Sequence, residues 1–223
     1  MAKNTVDRKS LKEDAVQDSI FRLIDWVYRH RTLFITSALA LASLAALAVS
    51  LQYMKTQSRL EENLAFHEAE KLLDAEGKDN LTRLNDSEDA FKKFIDSHGE
   101  SPLAPAAMMQ LARIAWDTED VAKSERYLMK VLEHPETEAT TRSLALSSLG
   151  TLSEFRGELD KAAEHYKSIQ NDGFPQLKSY HLGRLAAEKS EPNEARKYFD
   201  EVVKDQPNSV IGQWAKQLLE YLP

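Results

Sequence analysis

The chain has no cysteine among its 223 residues. This excludes disulfides, thiolate metal sites, thiol nucleophiles and a lipid anchor attached through cysteine. Basic residues are the minority, 29 against 36 acids, for a net charge of -7. That balance excludes a globally basic nucleic-acid binder. Catalytic signatures are missing as well. The six histidines (His30, His67, His98, His134, His165 and His181) form no HExxH pattern, and His67-Glu68-Ala69-Glu70-Lys71 fails it. There is no Walker sequence and no GxSxG. The acidic run Asp117-Thr118-Glu119-Asp120 is too short for a calcium loop and reads as a solvated turn with a helix-start acid. Asn80-Leu81-Thr82 and Asn85-Asp86-Ser87 have the form of glycan acceptors, which carries no weight in a bacterium.

Charge itself is absent from one stretch. Thr32 to Met54 reads TLFITSALALASLAALAVSLQYM, 23 residues without a charge. The mean hydropathy of -0.50 hides this run. As a helix it spans roughly 34 Å, enough for a hydrocarbon core of about 30 Å. Arg29 and Arg31 flank one end, Lys55 and Arg59 the other, and Trp26, Tyr28 and Tyr53 sit near the ends as interfacial aromatics do. A core helix of a soluble protein is shorter than this. A cleavable signal peptide is the competing reading, with Ala46-Leu47-Ala48 as its cleavage site. The 31-residue leader, with five acids among seven bases, is long and mixed for a signal n-region. The reading taken is an uncleaved single span.

The bases of the leader (Lys3, Arg8, Lys9, Lys12, Arg22, Arg29, Arg31) face an acidic run after Arg59 of Glu61, Glu62, Glu68 and Glu70. The basic side therefore faces the cytoplasm. Ala38, Ala42, Ala46 and Ser50 recur every four residues, a strip of small side chains on which another membrane helix can pack. Within the leader, Val16, Ile20, Ile24 and Val27 recur at helical spacing beside Asp18, Arg22 and Asp25, the pattern of a short amphipathic helix on the cytoplasmic face. The expected domains are residues 1–31 as leader, 32–54 as transmembrane helix and 55–223 as an exported, all-α domain.

From Glu61 onward no strand-like alternation of any length occurs, and helical patterns are broken at Gly77 to Asn80, Gly99 to Pro102, Pro135, Gly173 to Pro175 and Gln206 to Asn208. Three stretches fit one template: Leu111 to Pro135, Leu149 to Ile169, and Leu182 to Pro207. Each opens with Leu followed by Ala or Gly. Thirteen residues after that Leu comes a small residue (Ser124, Ala162, Ala195), four later a large one (Leu128, Tyr166, Phe199), three later a β-branched one (Val131, Ile169, Val202). Gly150 and Gly183 permit close helix approach, and the large residue fills the space between neighbouring hairpins. A single hairpin cannot bury its apolar face, so copies stack. A weaker copy precedes them, with Leu64, Ala65, Ala69, Leu72 and Leu73 as first helix and Ala90, Phe94 and Ser97 in the second. Asn208-Ser209 opens a closing helix through Ile211, Trp214, Ala215, Leu218 and Leu219.

These offsets resemble the tetratricopeptide repeat. The fold expected is a transmembrane helix followed by a short α-solenoid of tetratricopeptide-like hairpins with a C-terminal capping helix. The whole arrangement resembles the bacterial ancillary SecYEG translocon subunit family. The resemblance is strongest over AAEHYKSIQNDGFPQLKSYHLGRLAAEKSEPNEARKYFDEVV, Ala162 to Val203. It implies a single-pass inner-membrane protein with a cytoplasmic N-terminus and a periplasmic repeat domain, associated with the translocon and with periplasmic chaperones. Residues 1–60 match that family in architecture alone. The repeat register places Met109, Arg113, Trp116, Thr151, Glu154, Phe155, Tyr180 and Arg184 on the binding side. Of these, Met109, Arg113, Trp116, Phe155, Tyr180 and Arg184 are the candidate protein-binding groove. The Lys/Asn/Arg clamp with which some related domains hold a peptide C-terminus is missing, so carboxylate capture is not expected. No catalysis, cofactor, metal, nucleic acid or small-molecule substrate is expected. Two other readings remain: a scaffold for another envelope machine, in cell division or outer-membrane assembly, and an accessory subunit of a membrane enzyme.

Overall fold

A computed structural model describes residues 20–77, 79–170 and 174–223, apart from the side chain of Phe34. Val16 and Asp18 of the amphipathic pattern, and Asn171 to Gly173 of the NDGF turn, lie outside them. The chain divides into two units, Met1–Arg59 and Leu60–Pro223.

In the first unit residues 20–29 are helical, and a turn at His30 separates them from α1 (Arg31–Leu73). α1 contains the uncharged run and is the one helix among the described residues long and apolar enough to cross a membrane. Its described side chains up to Arg59 are all exposed.

The second unit takes the C-terminal part of α1 and adds α2 (Asn80–His98), α3 (Ala104–Asp117), α4 (Val121–Glu133), α5 (Ala139–Phe155), α6 (Leu159–Lys167), α7 (Pro175–Glu188), α8 (Pro192–Asp205) and α9 (Val210–Tyr221). Consecutive helices from α2 onward pack on one another, and α3 also touches α5, as α5 touches α7. The first helices of the hairpins α3–α4, α5–α6 and α7–α8 thus lie side by side in one layer. Helix starts are set locally. The Asp79, Asp120 and Ser209 side chains accept from the backbone N–H groups of Thr82, Lys123 and Gly212. Pro175 and Pro192 open α7 and α8, where the missing N–H costs nothing.

The turn inside each hairpin repeats as closely as the core. Glu119, Gly157 and Ser190 all have positive φ, of 63°, 74° and 60°. The N–H of the residue after each donates to the carbonyl five positions back: Asp120 to Ala115 (2.8 Å), Glu158 to Ser153 (2.8 Å) and Glu191 to Ala186 (2.9 Å). This is a Schellman ending, which satisfies the last carbonyls of the first helix and reverses the chain. Glycine fills the left-handed position only once, so residue type does not mark it.

The glycines of the template act as expected. A Cβ on Gly150 would overlap the Tyr166 ring, and one on Gly183 would come within 2.7 Å of the Phe199 ring. Ala162, Tyr166, Ile169, Ala195, Phe199 and Val202 are buried to 1% exposure or less. The first hairpin needs a correction. Its small, large, large set is Ser87, Phe91 and Phe94, all buried, whereas Ser97 is exposed. Ser87 Oγ donates to the Ala69 carbonyl (2.9 Å), as Ser124 Oγ donates to the Ala112 carbonyl (2.8 Å). The register therefore sits three residues before the Ala90, Phe94, Ser97 reading. On α1, Leu64 faces solvent and Phe66 packs edge-on against Phe91 and Phe94, at centroid distances of 5.5 and 5.7 Å. α9 covers the last hairpin with Ala215, Ile211, Leu218 and Leu219 against Phe199 and Val202.

Candidate functional site

Met109, Arg113 and Trp116 are spaced four and three residues apart on α3, which puts them on one helix face. Opposite them α5 presents Ser147, Ser148 and Thr151. Between the two helices lies a cleft of about 450 Å³ whose floor includes Ala112, Ser124, Leu128 and Leu152. Arg113 is the one charged side chain among the lining residues. It is exposed and makes no ion pair among the described residues. Trp116 extends the cleft toward the end of α5, where it meets Phe155 edge-on at 5.2 Å. Phe155 is 67% exposed. Four of the six predicted groove residues thus gather at one place.

Tyr180 and Arg184 are elsewhere. Tyr180 is half-buried between Phe199 (6.2 Å) and Trp214 (6.1 Å) and packs toward the closing helix. Arg184 pairs with Glu154 at 3.1 Å, and its other terminal nitrogen lies 3.1 Å from His181 Nδ1. Its positive charge is therefore engaged between α7 and α5.

Around Arg184 the structure builds a network for which the sequence carried no signal. His181 stacks flat on Tyr166, with centroids 4.4 Å apart and planes 5° from parallel. Tyr166 donates to Glu154 at 2.8 Å, and His181 Nε2 lies 2.7 Å from Ser147 Oγ. A guanidinium has only donors, so Nδ1 of His181 must accept from Arg184, and Nε2 carries the proton and donates to Ser147. The imidazole cannot then take a proton from Ser147 through Nε2, and the pair is not a nucleophile with its base. Burial, with the Arg184 charge adding to it, pushes the His181 pKa down to about 4. Burial also pushes the Tyr166 hydroxyl well above its ordinary range, and its bond to Glu154 adds to this. The network fixes α5, α6 and α7 to one another, and Ser147 carries it to the cleft wall.

No group of three or more histidine or acidic side chains able to hold a metal occurs among the described residues. Glu125, between Arg156 (2.7 Å) and Lys161 (3.3 Å), is a bridge between hairpins; the bond from Arg156 holds its carboxyl below the usual range.

No curated protein matches the chain. Among solved structures it is similar to a tetratricopeptide repeat protein from Parabacteroides merdae ATCC 43184, at 21% identity with a TM-score of 0.53. The match covers 70% of this chain and 59% of that one, so the chain spans under two thirds of that protein. It is also similar to nearly identical TPR-like repeats from Podosopora anserina, in two structures, each at 15% identity over 73% of this chain and 83% of that one, with TM-scores of 0.48 and 0.47. A family model described as tetratricopeptide repeat-like domain matches residues 26–221. Stacks of such hairpins are scaffolds for protein-protein interaction. The chain belongs to the tetratricopeptide repeat-like domain family.

Proposed function

We propose that the chain is a membrane-tethered protein-interaction module of the bacterial inner membrane. Residues 32–54 span the bilayer once, the leader of residues 1–31 is cytoplasmic, and residues 55–223 form a periplasmic repeat domain. The observation that carries this reading is α1, whose uncharged, exposed run continues in one chain into a repeat stack with an aromatic-lined cleft. The stack recruits a protein through Met109, Arg113, Trp116 and Phe155, where exposed aromatics beside an arginine give the composition of an interface hot spot.

The partner complex proposed is the SecYEG translocon, with periplasmic chaperones or exported clients on the repeat domain. What supports it is the order of leader, span and short repeat stack, together with the residue pattern from Ala162 to Val203. The small-residue face of Ala38, Ala42, Ala46 and Ser50 is the side on which a translocon helix packs. The test is photocrosslinking in native membranes from Ala42 and Ser50. Adducts with translocon subunits support the proposal. Adducts with a cell-division, outer-membrane assembly or membrane-enzyme complex, and none with the translocon, overturn it and name the alternative.

A further inference from the structure

Residues 20–29 form a helix that ends at His30, just before α1 begins. The interruption is confined to His30, whose backbone N–H still donates to the Trp26 carbonyl at 3.1 Å while its ring Nδ1 lies 2.8 Å from the same oxygen. That one-residue turn sets the segment off from α1.

Its side chains divide sharply. At about 100° per residue, Arg22, Asp25 and Arg29 fall in one stripe roughly 60° wide. The Asp25 carboxylate accepts from Arg29 Nε at 3.1 Å and from Nη2 at 2.7 Å, which closes that stripe. Ile20, Phe21, Leu23, Ile24, Val27 and Tyr28 fill the opposite arc, with exposures from 39% for Val27 to 69% for Tyr28. Trp26 sits at the border between stripe and arc and is 52% exposed. An apolar face this wide is unfavourable in water. Its tether decides what covers it. Arg31 lies at the end of the apolar run, so the ten residues reach no further than about 15 Å from the membrane boundary.

We propose that residues 20–29 lie in the plane of the cytoplasmic leaflet, with the apolar arc against the acyl chains and Arg22, Arg29 and Arg31 on the phosphates of anionic lipid headgroups. This rests on the reading of α1 as a membrane span. The narrow polar stripe allows burial of about 5–10 Å, to the boundary between headgroups and chains. The border position of Trp26 and the exposure of Tyr28 suit that depth, where amphipathic rings are favoured. Two arginines on the stripe and one at its end give the segment an excess of positive charge, complementary to an anionic surface.

The test uses the full chain carrying W116F and W214F, so that Trp26 is the sole tryptophan, reconstituted into phosphatidylcholine vesicles with and without phosphatidylglycerol. The expected result is that lipids brominated near the headgroup quench Trp26 more than lipids brominated deep in the chain. Phosphatidylglycerol should shift its emission further to the blue, and R22Q with R29Q should abolish that extra shift. A Trp26 open to iodide and unquenched by either lipid, in a chain that resists alkaline carbonate, overturns the inference and leaves the span intact. Stronger quenching from the deep position places the segment inside the span and also overturns it. Release of the chain by carbonate overturns the span reading, and this inference with it.

Discussion

At the residue scale the stack depends on a few close approaches. Gly183 has no room for even a methyl group beside Phe199, and neither helix can move without disturbing α9, whose side chains pack on the same cluster. Gly183→Ala is expected to destabilise the domain by about 1–3 kcal/mol through overpacking, despite alanine's better helix propensity. Urea unfolding measures it, and an unchanged midpoint would show that the ring relaxes freely. His181 makes a prediction of opposite character. Its pKa falls from 6.5 to about 4 on folding because the buried ring resists charging. Above pH 6.5 both states are neutral and the full stability is present. As pH falls from about 6.5 to 4 the unfolded state takes a proton that the folded state refuses, and about 3 kcal/mol is lost. His165 is lowered by burial too and acts in the same direction. Glu125, whose carboxyl is held under its ordinary 4.5 by the bond from Arg156, adds to the loss only as pH falls to about 4.5 and below. His181→Gln should therefore flatten stability between pH 6.5 and 4.5, and an equal slope in both proteins would refute the assignment. The glycine–aromatic pairs were legible because helix geometry fixes their offset. The His181 network was not, because Ser147 and Glu154 reach it from 34 and 27 positions away and no local pattern joins them.

At the element scale two features separate the hairpins. The first has a link six residues longer than the others, judged from the Ser87–Ala69 bond against Ser124–Ala112. Residues three apart on a helix share a face, so the offsets of the template fit both Ser87-Phe91-Phe94 and Ala90-Phe94-Ser97, and only packing decides between them. Phe91→Ala should cost about 3–5 kcal/mol and Ser97→Ala close to nothing; calorimetry on the two variants distinguishes the registers. The left-handed turn residue is the second feature. It recurs in all three clear hairpins, yet Glu119 and Ser190 hold it without glycine's freedom. A left-handed L-residue costs roughly 1–2 kcal/mol, offset in part by the extra entropy that glycine loses on folding. Ser190→Gly should thus stabilise the domain by up to about 1 kcal/mol in thermal unfolding, while a destabilised S190G would mean that the serine has a further contact. Helix existence and type were plain in the sequence, since each helix carries an apolar face at the right period. The shared turn was hidden because the hydrogen bonds that define it are made by the backbone.

At the scale of the whole molecule, the proposed function rests on two features of one chain: a helical run long and apolar enough to cross a bilayer, and a repeat stack with an open, arginine-bearing cleft. The repeat register brought Met109, Arg113, Trp116 and Phe155 to that cleft. It did not bring Tyr180 and Arg184 there, because a register fixes the face of a helix and not the neighbours beside it. α9 takes Tyr180, and Glu154 takes Arg184. The cleft side of the stack is the proposed docking place for a partner. Photocrosslinking in native membranes from Gln110 and Thr151, on the cleft, set against Lys130 and Lys197, exposed on α4 and α8, tests it most directly. The account predicts a common protein adduct from the two cleft positions and none from the two lysine positions; adducts from the lysines alone, or equally from all four, would contradict it.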